Sequence, residues 1–237
     1  DGFARALARW AQAPLAVARD SDWSDPAGVA VVGAELEGAV AVRDAHGRER
    51  RVGFRADRVD AVAGALRLTD YKTGAPLRDA ARDDTRRRAL VEAVAQGRAL
   101  QAVAYARGAA QAGGVATGRL LHLGDVEYAA ARSAACASDD AELGAAFEAA
   151  VRSVLAAADA GVHLPRLVEP DGGKPLACEW CEVAAACQQG ESGPRRRLRE
   201  WASALAPDRA ARAPAERVAL DLFLLGRRAA PPTEESA

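Results

Sequence analysis

Leu66-Arg67-Leu68-Thr69-Asp70-Tyr71-Lys72-Thr73-Gly74 closes a series of short apolar runs and decides the reading of the fold. Before it stand Val29-Ala30-Val31-Val32, Ala39-Val40-Ala41-Val42 and Arg51-Val52-Gly53-Phe54, each β-branched or alternating and set apart by turn residues such as His46-Gly47 and Ala63-Gly64. These runs predict three or four consecutive strands of an antiparallel meander. Helical spacing predicts a helix over Phe3 to Ala13 that stops near Pro14, followed by a polar loop over Asp20 to Pro26. Residues Asp83 to Gln111 read as one long helix, Arg119-Leu120-Leu121-His122-Leu123 as a further strand, and Ala141 to Ala160 as another helix. The order of helix, strands, helix, strand and helix predicts an α/β fold in which a mixed central sheet is flanked by helices.

The chain has 237 residues, half of them hydrophobic, enough for one good-sized core with a smaller appendage. No charge-free apolar run is long enough to span a bilayer and no basic-then-apolar leader opens the chain, which predicts a soluble cytoplasmic protein with no membrane partner. The absence of methionine predicts a segment of a longer polypeptide. A net charge of -1 supplies no global attraction to nucleic acid, so local patches matter more. Arg86-Arg87-Arg88 and Arg195-Arg196-Arg197, the latter followed by Arg199, read either as solvated helix faces or as phosphate contacts. Four segments are expected: an N-terminal helical segment over 1–28, the core over 29–165, a Cys-rich segment over 166–190, and a C-terminal helix with a disordered tail over 191–237. Within the last, Ala215 to Leu225 is amphipathic and Pro231 to Ala237 has the composition of a disordered end.

Lysine is scarce, two residues against thirty arginines. A coding bias that turns surface cations into arginine leaves lysine where a compact ammonium cannot be exchanged for a planar guanidinium, which favours Lys72 as a catalytic candidate. Lys174, in Asp171-Gly172-Gly173-Lys174-Pro175, reads as a loop residue. In a strand, residues two apart face the same side, so Asp70 and Lys72 project together while Tyr71 points away. A hairpin through Ala63-Gly64 would bring Asp57 beside them, with Asp60 close by. Two carboxylates and one lysine form a hard-oxygen site suited to Mg²⁺ or Mn²⁺, with the Tyr71 carbonyl as a further ligand. Such a metal lowers the pKa of a bound water and neutralises charge on a phosphoryl group. The alternative is a surface hairpin on which these residues only solubilise.

Gly53-x-x-x-Asp57-Arg58-Val59-Asp60, Asp70-Tyr71-Lys72-Thr73-Gly74 and Gln101-x-x-x-Tyr105, in this order, resemble the RecB/AddB-type branch of the PD-(D/E)XK nuclease superfamily. The resemblance runs from about Val31 to Cys187 and implies a restriction-endonuclease-like core. It implies that Asp57 and Asp70 bind metal, that Lys72 is the catalytic lysine, and that Gln101 and Tyr105 support the site and contact the DNA strand. Those two residues lie one helical turn apart and so share a face; the alternative is a helix that merely packs Tyr105 into the core. Glu35 or Glu37 stands where relatives place an acidic residue before the first core strand. Ala56, smaller than the aliphatic residue usual before the first aspartate, departs from the pattern. None of His46, His122 and His163 matches the family's upstream histidine.

Cys178-Glu179-Trp180-Cys181 and Cys187 are spaced too tightly for ordinary core cysteines, and an intracellular chain argues against a disulfide framework. The spacing resembles the last three ligands of the 4Fe-4S cluster in AddB-type nucleases, which implies a fourth thiolate outside this sequence. A structural zinc completed by His163 or Cys136 is the rival reading. The resemblance therefore implies a Mg²⁺-dependent deoxyribonuclease, exonuclease or endonuclease, acting on single-stranded DNA ends delivered by a helicase partner in double-strand break repair and recombination. A catalytically silent DNA-binding or scaffolding module, and a free-standing nuclease of the CRISPR-associated single-strand type, are the alternatives.

Overall fold

The four apolar runs form three strands. Val29–Arg43 is one continuous strand, β1, that contains the first two runs; β2 is Glu49–Val62 and β3 is Ala65–Lys72, each antiparallel to the one before. The first reversal is built by Asp44, whose Oδ1 accepts the N–H groups of His46 and Arg48, both at 2.9 Å, while Gly47 takes a left-handed φ of 75°. The second is the two-residue loop Ala63-Gly64, with φ of 50° and 82°, the conformation that matches the twist of a tight hairpin. The computed structural model describes residues 2–23, 28–170, 172–179 and 181–226. Two compact units, Asp1–Ala150 and Val151–Ala237, divide the chain.

In the first unit a parallel neighbour for β3 requires a crossover. The crossover consists of α2 (Asp83–Ala95) and α3 (Leu100–Gln111), after which β4 (Ala116–His122) pairs parallel with β3 and β5 (Ser133–Ala137) pairs antiparallel with β4. The sheet order is β1-β2-β3-β4-β5, so β3 is central. The fold is the expected mixed α/β sheet flanked by helices. One long helix over Asp83 to Gln111 is a misreading, because Gly97 and Ala99 both take left-handed φ values, 75° and 52°, and split it in two. β5 was not expected; the Ala-rich stretch around Cys136 is a short edge strand.

α3 buries residues on every side, including Ala102, Val103, Ala104, Tyr105, Ala106 and Gly108, as a helix lying inside a core must. Tyr105 packs with Ala56, Val59, Leu68 and Ala116, and its ring lies 5.1 Å from that of Phe54. Two glycines set how closely α3 approaches the sheet: a Cβ at Gly108 would strike the Phe54 ring, and one at Gly118 would strike the carbonyl of Ala102. The helix runs against the direction of β3, because Gly114, just past its end, lies over Leu66 while Tyr105 reaches Asp70. Gln101 therefore lies toward the Lys72 end of the strand.

The N-terminal helix α1 spans Gly2–Asp22 and continues through Pro14. Proline removes one helix hydrogen bond, and on so exposed a helix water can take the freed carbonyl. The expected loop from Asp20 accordingly starts later, and its residues 24–27 lie outside the described residues. The last turn of α1 is held by charge. Asp22, whose side chain is fully buried, accepts hydrogen bonds from Tyr71 Oη and Arg119 Nη2 and lies 3.5 Å from Arg58. Asp60 adds 2.7 Å and 3.1 Å pairs with Arg58 and Arg67, and the Arg58 guanidinium lies 3.8 Å from the centre of the Trp23 ring.

α4 (Ala141–Asp159) carries the chain from the first unit into the second. Its start is capped by Asp140, whose Oδ1 accepts from Leu143 N–H at 3.0 Å, and the same carboxylate takes Arg87 in a two-bonded pair that ties α2 to this point. Arg86 donates to the carbonyls of Ala80 and Ala81, so two of the three arginines in that run are engaged internally. In the second unit α5 (Ser192–Leu205), which was not expected, packs with α6 (Pro214–Phe223) through Ala202, Leu205, Leu220 and Phe223, joined by Val168. α6 starts at Pro214, with Glu216 reaching back to the Ala213 N–H at 3.3 Å. The tail from Pro231 to Ala237 lies outside the described residues. Among the described residues no helix is long and apolar enough to cross a membrane.

Two substitutions probe this architecture. Asp22→Ala strands buried guanidinium groups and is expected to cost about 3 to 5 kcal/mol in urea unfolding. Gly118→Ala, which forces α3 off the sheet, is expected to cost about 3 kcal/mol, whereas Gly53→Ala, whose Cβ would meet only a carbonyl oxygen at 4.0 Å, should stay within about 0.5 kcal/mol of the parent.

Candidate active site

The site forms where β2 and β3 stop pairing. Their ladder runs from Val62↔Ala65 to Arg58↔Thr69, and the next pair in that register, Asp57 with Asp70, is not formed. β3 continues for three residues on β4 alone, through Asp70↔Leu120, Tyr71↔Leu121 and Lys72↔His122. Leu66 N–H bonds the Val115 carbonyl and the Lys72 carbonyl accepts from Leu123 N–H at 2.8 Å, so the even-numbered residues of β3 turn their backbone groups toward β4. The backbone groups of Tyr71 therefore face β2, where no strand partner is left. Asp57 fills the gap: its Oδ2 accepts the Tyr71 N–H at 2.7 Å. The Tyr71 carbonyl is directed to the same side by strand geometry.

Side-chain alternation then separates two faces. On the α3 face, Lys72 Nζ lies 2.7 Å from Asp70 Oδ2, and Tyr105 Oη shares its single proton between the Arg55 carbonyl at 2.8 Å and Asp70 Oδ1 at 3.1 Å. Burial and the charges of Asp70, Asp57 and Glu35 push the Tyr105 hydroxyl well above its ordinary pKa, so it stays protonated as a donor. On the opposite face Tyr71 reaches Asp22, and burial together with that carboxylate pushes its phenol up to about 12. The structure thus brings Asp57, Asp70, Tyr71, Lys72 and Tyr105 together. Gln101, half-buried, lies one turn from Tyr105 toward Lys72 and outside the hydrogen-bonded cluster. Asp60 turns to the rear face with Arg58 and Arg67.

The backbone is irregular beside Asp57. Phe54, Ala56 and Val59 all face the core cluster under α3, which strict alternation forbids, so β2 changes side between Ala56 and Val59. Across from Asp57, Glu35 has a left-handed φ of 52° and lies 2.9 Å from Arg55. Glu37, opposite Arg55, lies further along β1. Of the two glutamates, Glu35 is the one whose charge reaches Tyr105.

Two residues near the site were not read as part of it. Asp22 was assigned to a loop, and nothing local marks it, since its partners lie 49 and 97 residues away. His122 was read within a strand and otherwise noted only for failing to match the family's upstream histidine. It is buried at 4 % exposure, its Nδ1 lies 3.3 Å from the Gly74 carbonyl, and its Nε2 is buried with no partner. Burial lowers its pKa, and Lys72 and Asp70 are the charges that influence it.

The donors at the fork are two carboxylates and a backbone carbonyl, the oxygen set that suits Mg²⁺ or Mn²⁺, and a carboxylate oxygen that accepts one hydrogen bond keeps lone pairs for a cation. Among the described residues no three His, Cys, Asp or Glu side chains form a ready-made cage; Mg²⁺ retains several waters and does not require one. The cysteines are placed differently. Cys178 is half-buried and Cys181 and Cys187 are exposed, and their thiols are not assembled into a ligand group among the described residues. Trp180, between them, lies outside the described residues. Cys136 is buried in β5 and donates to the Ala137 carbonyl at 3.2 Å, and burial pushes its thiol up to about 11, which disfavours the thiolate that a metal needs.

A five-stranded mixed sheet flanked by helices, with a polar cluster at the carboxyl end of its central strand, has the architecture of restriction-endonuclease-like nucleases. The profile of the PD-(D/E)XK nuclease superfamily matches residues 1–188, and the chain belongs to that superfamily. Membership implies nuclease activity, and members typically use divalent metals. No curated protein matches the chain at a significant level.

Thiol accessibility checks this part of the structure. With iodoacetamide at mildly alkaline pH, the metal-free folded protein should be alkylated at Cys181 and Cys187 within minutes, while Cys136 reacts only after unfolding. Peptide mass spectrometry reads the difference.

Proposed function

We propose that the chain is a Mg²⁺-dependent deoxyribonuclease domain of the RecB/AddB type. The observation that carries this reading is the fork, where the Asp57 carboxylate, the Asp70 carboxylate and the Tyr71 backbone meet beside Lys72. Asp57, Asp70 and the Tyr71 carbonyl would hold the metal, which when bound supplies Lewis acidity toward a phosphoryl oxygen and an activated water. Lys72 orients the attacking water and, as an ammonium, offsets charge that builds on the phosphoryl group. Tyr105 keeps Asp70 turned toward the fork by donating to Oδ1, which leaves the rest of the carboxylate for metal and lysine. Gln101, on the same helix face and toward the Lys72 end of β3, contacts the DNA strand.

The substrate is single-stranded DNA, delivered as ends by a helicase in double-strand break repair and recombination; the resemblance of the three motifs in order supports this finer assignment. A 4Fe-4S cluster on Cys178, Cys181 and Cys187 belongs to the same reading. It needs a fourth thiolate, would gather the three thiols and staple their segment, and takes no part in cleavage.

Cleavage of a labelled single-stranded oligonucleotide is the test. The parent protein should cut in Mg²⁺ or Mn²⁺ and stop in EDTA, and Asp70→Ala or Lys72→Ala should slow cutting by about 10³-fold or more with unchanged circular dichroism. Undiminished cutting by either variant overturns the assignment. DNA binding by the parent without metal-stimulated cutting would point instead to a silent DNA-binding module.

A further inference from the structure

His122 lies beside Lys72 for a geometric reason. The two are register partners on adjacent parallel strands, so their side chains leave the same face of the sheet about 4.8 Å apart at the backbone. Asp70 and Leu120 form the preceding pair on that face, which places the imidazole on the floor of the fork. A carbonyl can only accept, so the 3.3 Å contact with Gly74 requires the proton on Nδ1. Nε2 then carries a bare lone pair, fully buried and without a partner. An unpaired buried acceptor is costly, and buried polar atoms in folded proteins are generally paired. A cation whose charge bears on this ring is the Lys72 ammonium, which has three donors, spends one on Asp70 Oδ2 at 2.7 Å and makes no hydrogen bond to Nε2 in this structure.

The strand ends around this pair are tied down. Leu123 N–H donates to the Lys72 carbonyl, and Arg132 Nη1 donates to the Gly124 carbonyl at 2.5 Å. Gly124 packs against Thr73 and Gly74, where a Cβ would lie 3.5 Å and 3.7 Å from their carbonyl oxygens. Lys72-Thr73-Gly74 is therefore held from the β4 side by one backbone bond and one imidazole.

We propose that His122 is a positioning residue for Lys72: its Nδ1–H fixes the Gly74 carbonyl, and its Nε2, unpaired in this structure, is a second, neutral acceptor that the ammonium takes up as it turns from Asp70 toward substrate. This deepens the nuclease reading and rests on it for the role of the lysine, but not for the tautomer of the imidazole. The neutral acceptor holds the ammonium without adding a negative charge that would compete for a cation. It also gives Lys72 a fixed direction, which a single ion pair to a carboxylate with two oxygens does not.

The test uses the scarcity of lysine. Protein labelled with carbon-13 at lysine Cε should give two side-chain signals, Lys72 and Lys174, the second serving as an internal reference. His122→Leu, which removes both nitrogens, is expected to move the Lys72 signal and leave Lys174 in place. His122→Gln, whose amide can reach the position of Nε2, should restore most of the Lys72 environment. In the cleavage assay His122→Leu should lower kcat about 10- to 100-fold with little change in KM, and His122→Gln should recover part of that loss. Nitrogen-15 spectra of the parent protein should show His122 protonated at Nδ1 and bare at Nε2, a result that needs no variant to fold. A proton on Nε2, or a Lys72 signal that does not respond to His122→Leu, overturns the proposal. Absence of cleavage by the parent would overturn the nuclease reading alone, since both spectral readouts are independent of turnover.

Discussion

A backbone N–H that loses its strand partner inside a protein must find another acceptor, and this site is built around one such group. β3 needs two neighbours up to Thr69 and has only one from Asp70 onward. The orphaned Tyr71 N–H recruits the Asp57 carboxylate, and that single bond brings the acidic group of one strand to the end of the next. Had the ladder continued by one more pair, the Tyr71 backbone would be consumed by β2. A carboxylate in place of a strand carbonyl keeps the opening wide and polar. The divergence of the two strands and the presence of the acid are thus one structural fact.

The rear face of the same strand explains why the opening keeps its shape. Tyr71 stands between Asp70 and Lys72 in the chain and projects the other way, into the Asp22, Arg58 and Arg119 cluster. Apolar packing alone would let the end of β3 slide or twist, because it has lost the support of β2. Directional bonds to Asp22 and the Thr69 hydroxyl, which takes Arg119 Nε at 3.1 Å, oppose that motion. Such a buried charge cluster is not a cheap source of stability. Its use lies in fixing α1 and three strands in one arrangement, so that α3 can meet the front face in register.

Much of this was legible in the sequence. The meander followed from alternation and turn residues, and the pairing of Asp70 with Lys72 followed from the two-residue period of a strand. Residues whose role depends on distant partners were not legible. Asp22 looks like any aspartate in a polar stretch, and only the folded sheet supplies the arginines that bury it. His122 sits in an apolar run, where a single histidine reads as core, and its relation to Lys72 exists only through parallel register between strands that a long helical crossover separates. Helix boundaries failed where Ala-rich segments continue on both sides of the break: Gly97 was the available signal, and the left-handed Ala99 left none. The segment over 191–237 reads as holding one helix because the arginine-rich face of α5 masks the apolar stripe that holds Ala202 and Leu205 against α6.

The irregularities of β1 have a consequence away from the chemistry. A fifteen-residue strand at the rim of a sheet turns a row of backbone groups outward; those of Ala41 are taken by the Gln111 amide, whose Oε1 accepts its N–H and whose Nε2 donates to its carbonyl, and the strand also exposes Val31 and Val32. The register slip between Val31 and Gly33 and the left-handed turn at Glu35 cut that row into pieces. An incoming strand could follow it for only a few residues before losing step. The kink that lies across from Asp57 therefore also keeps this rim from templating intermolecular β-aggregation.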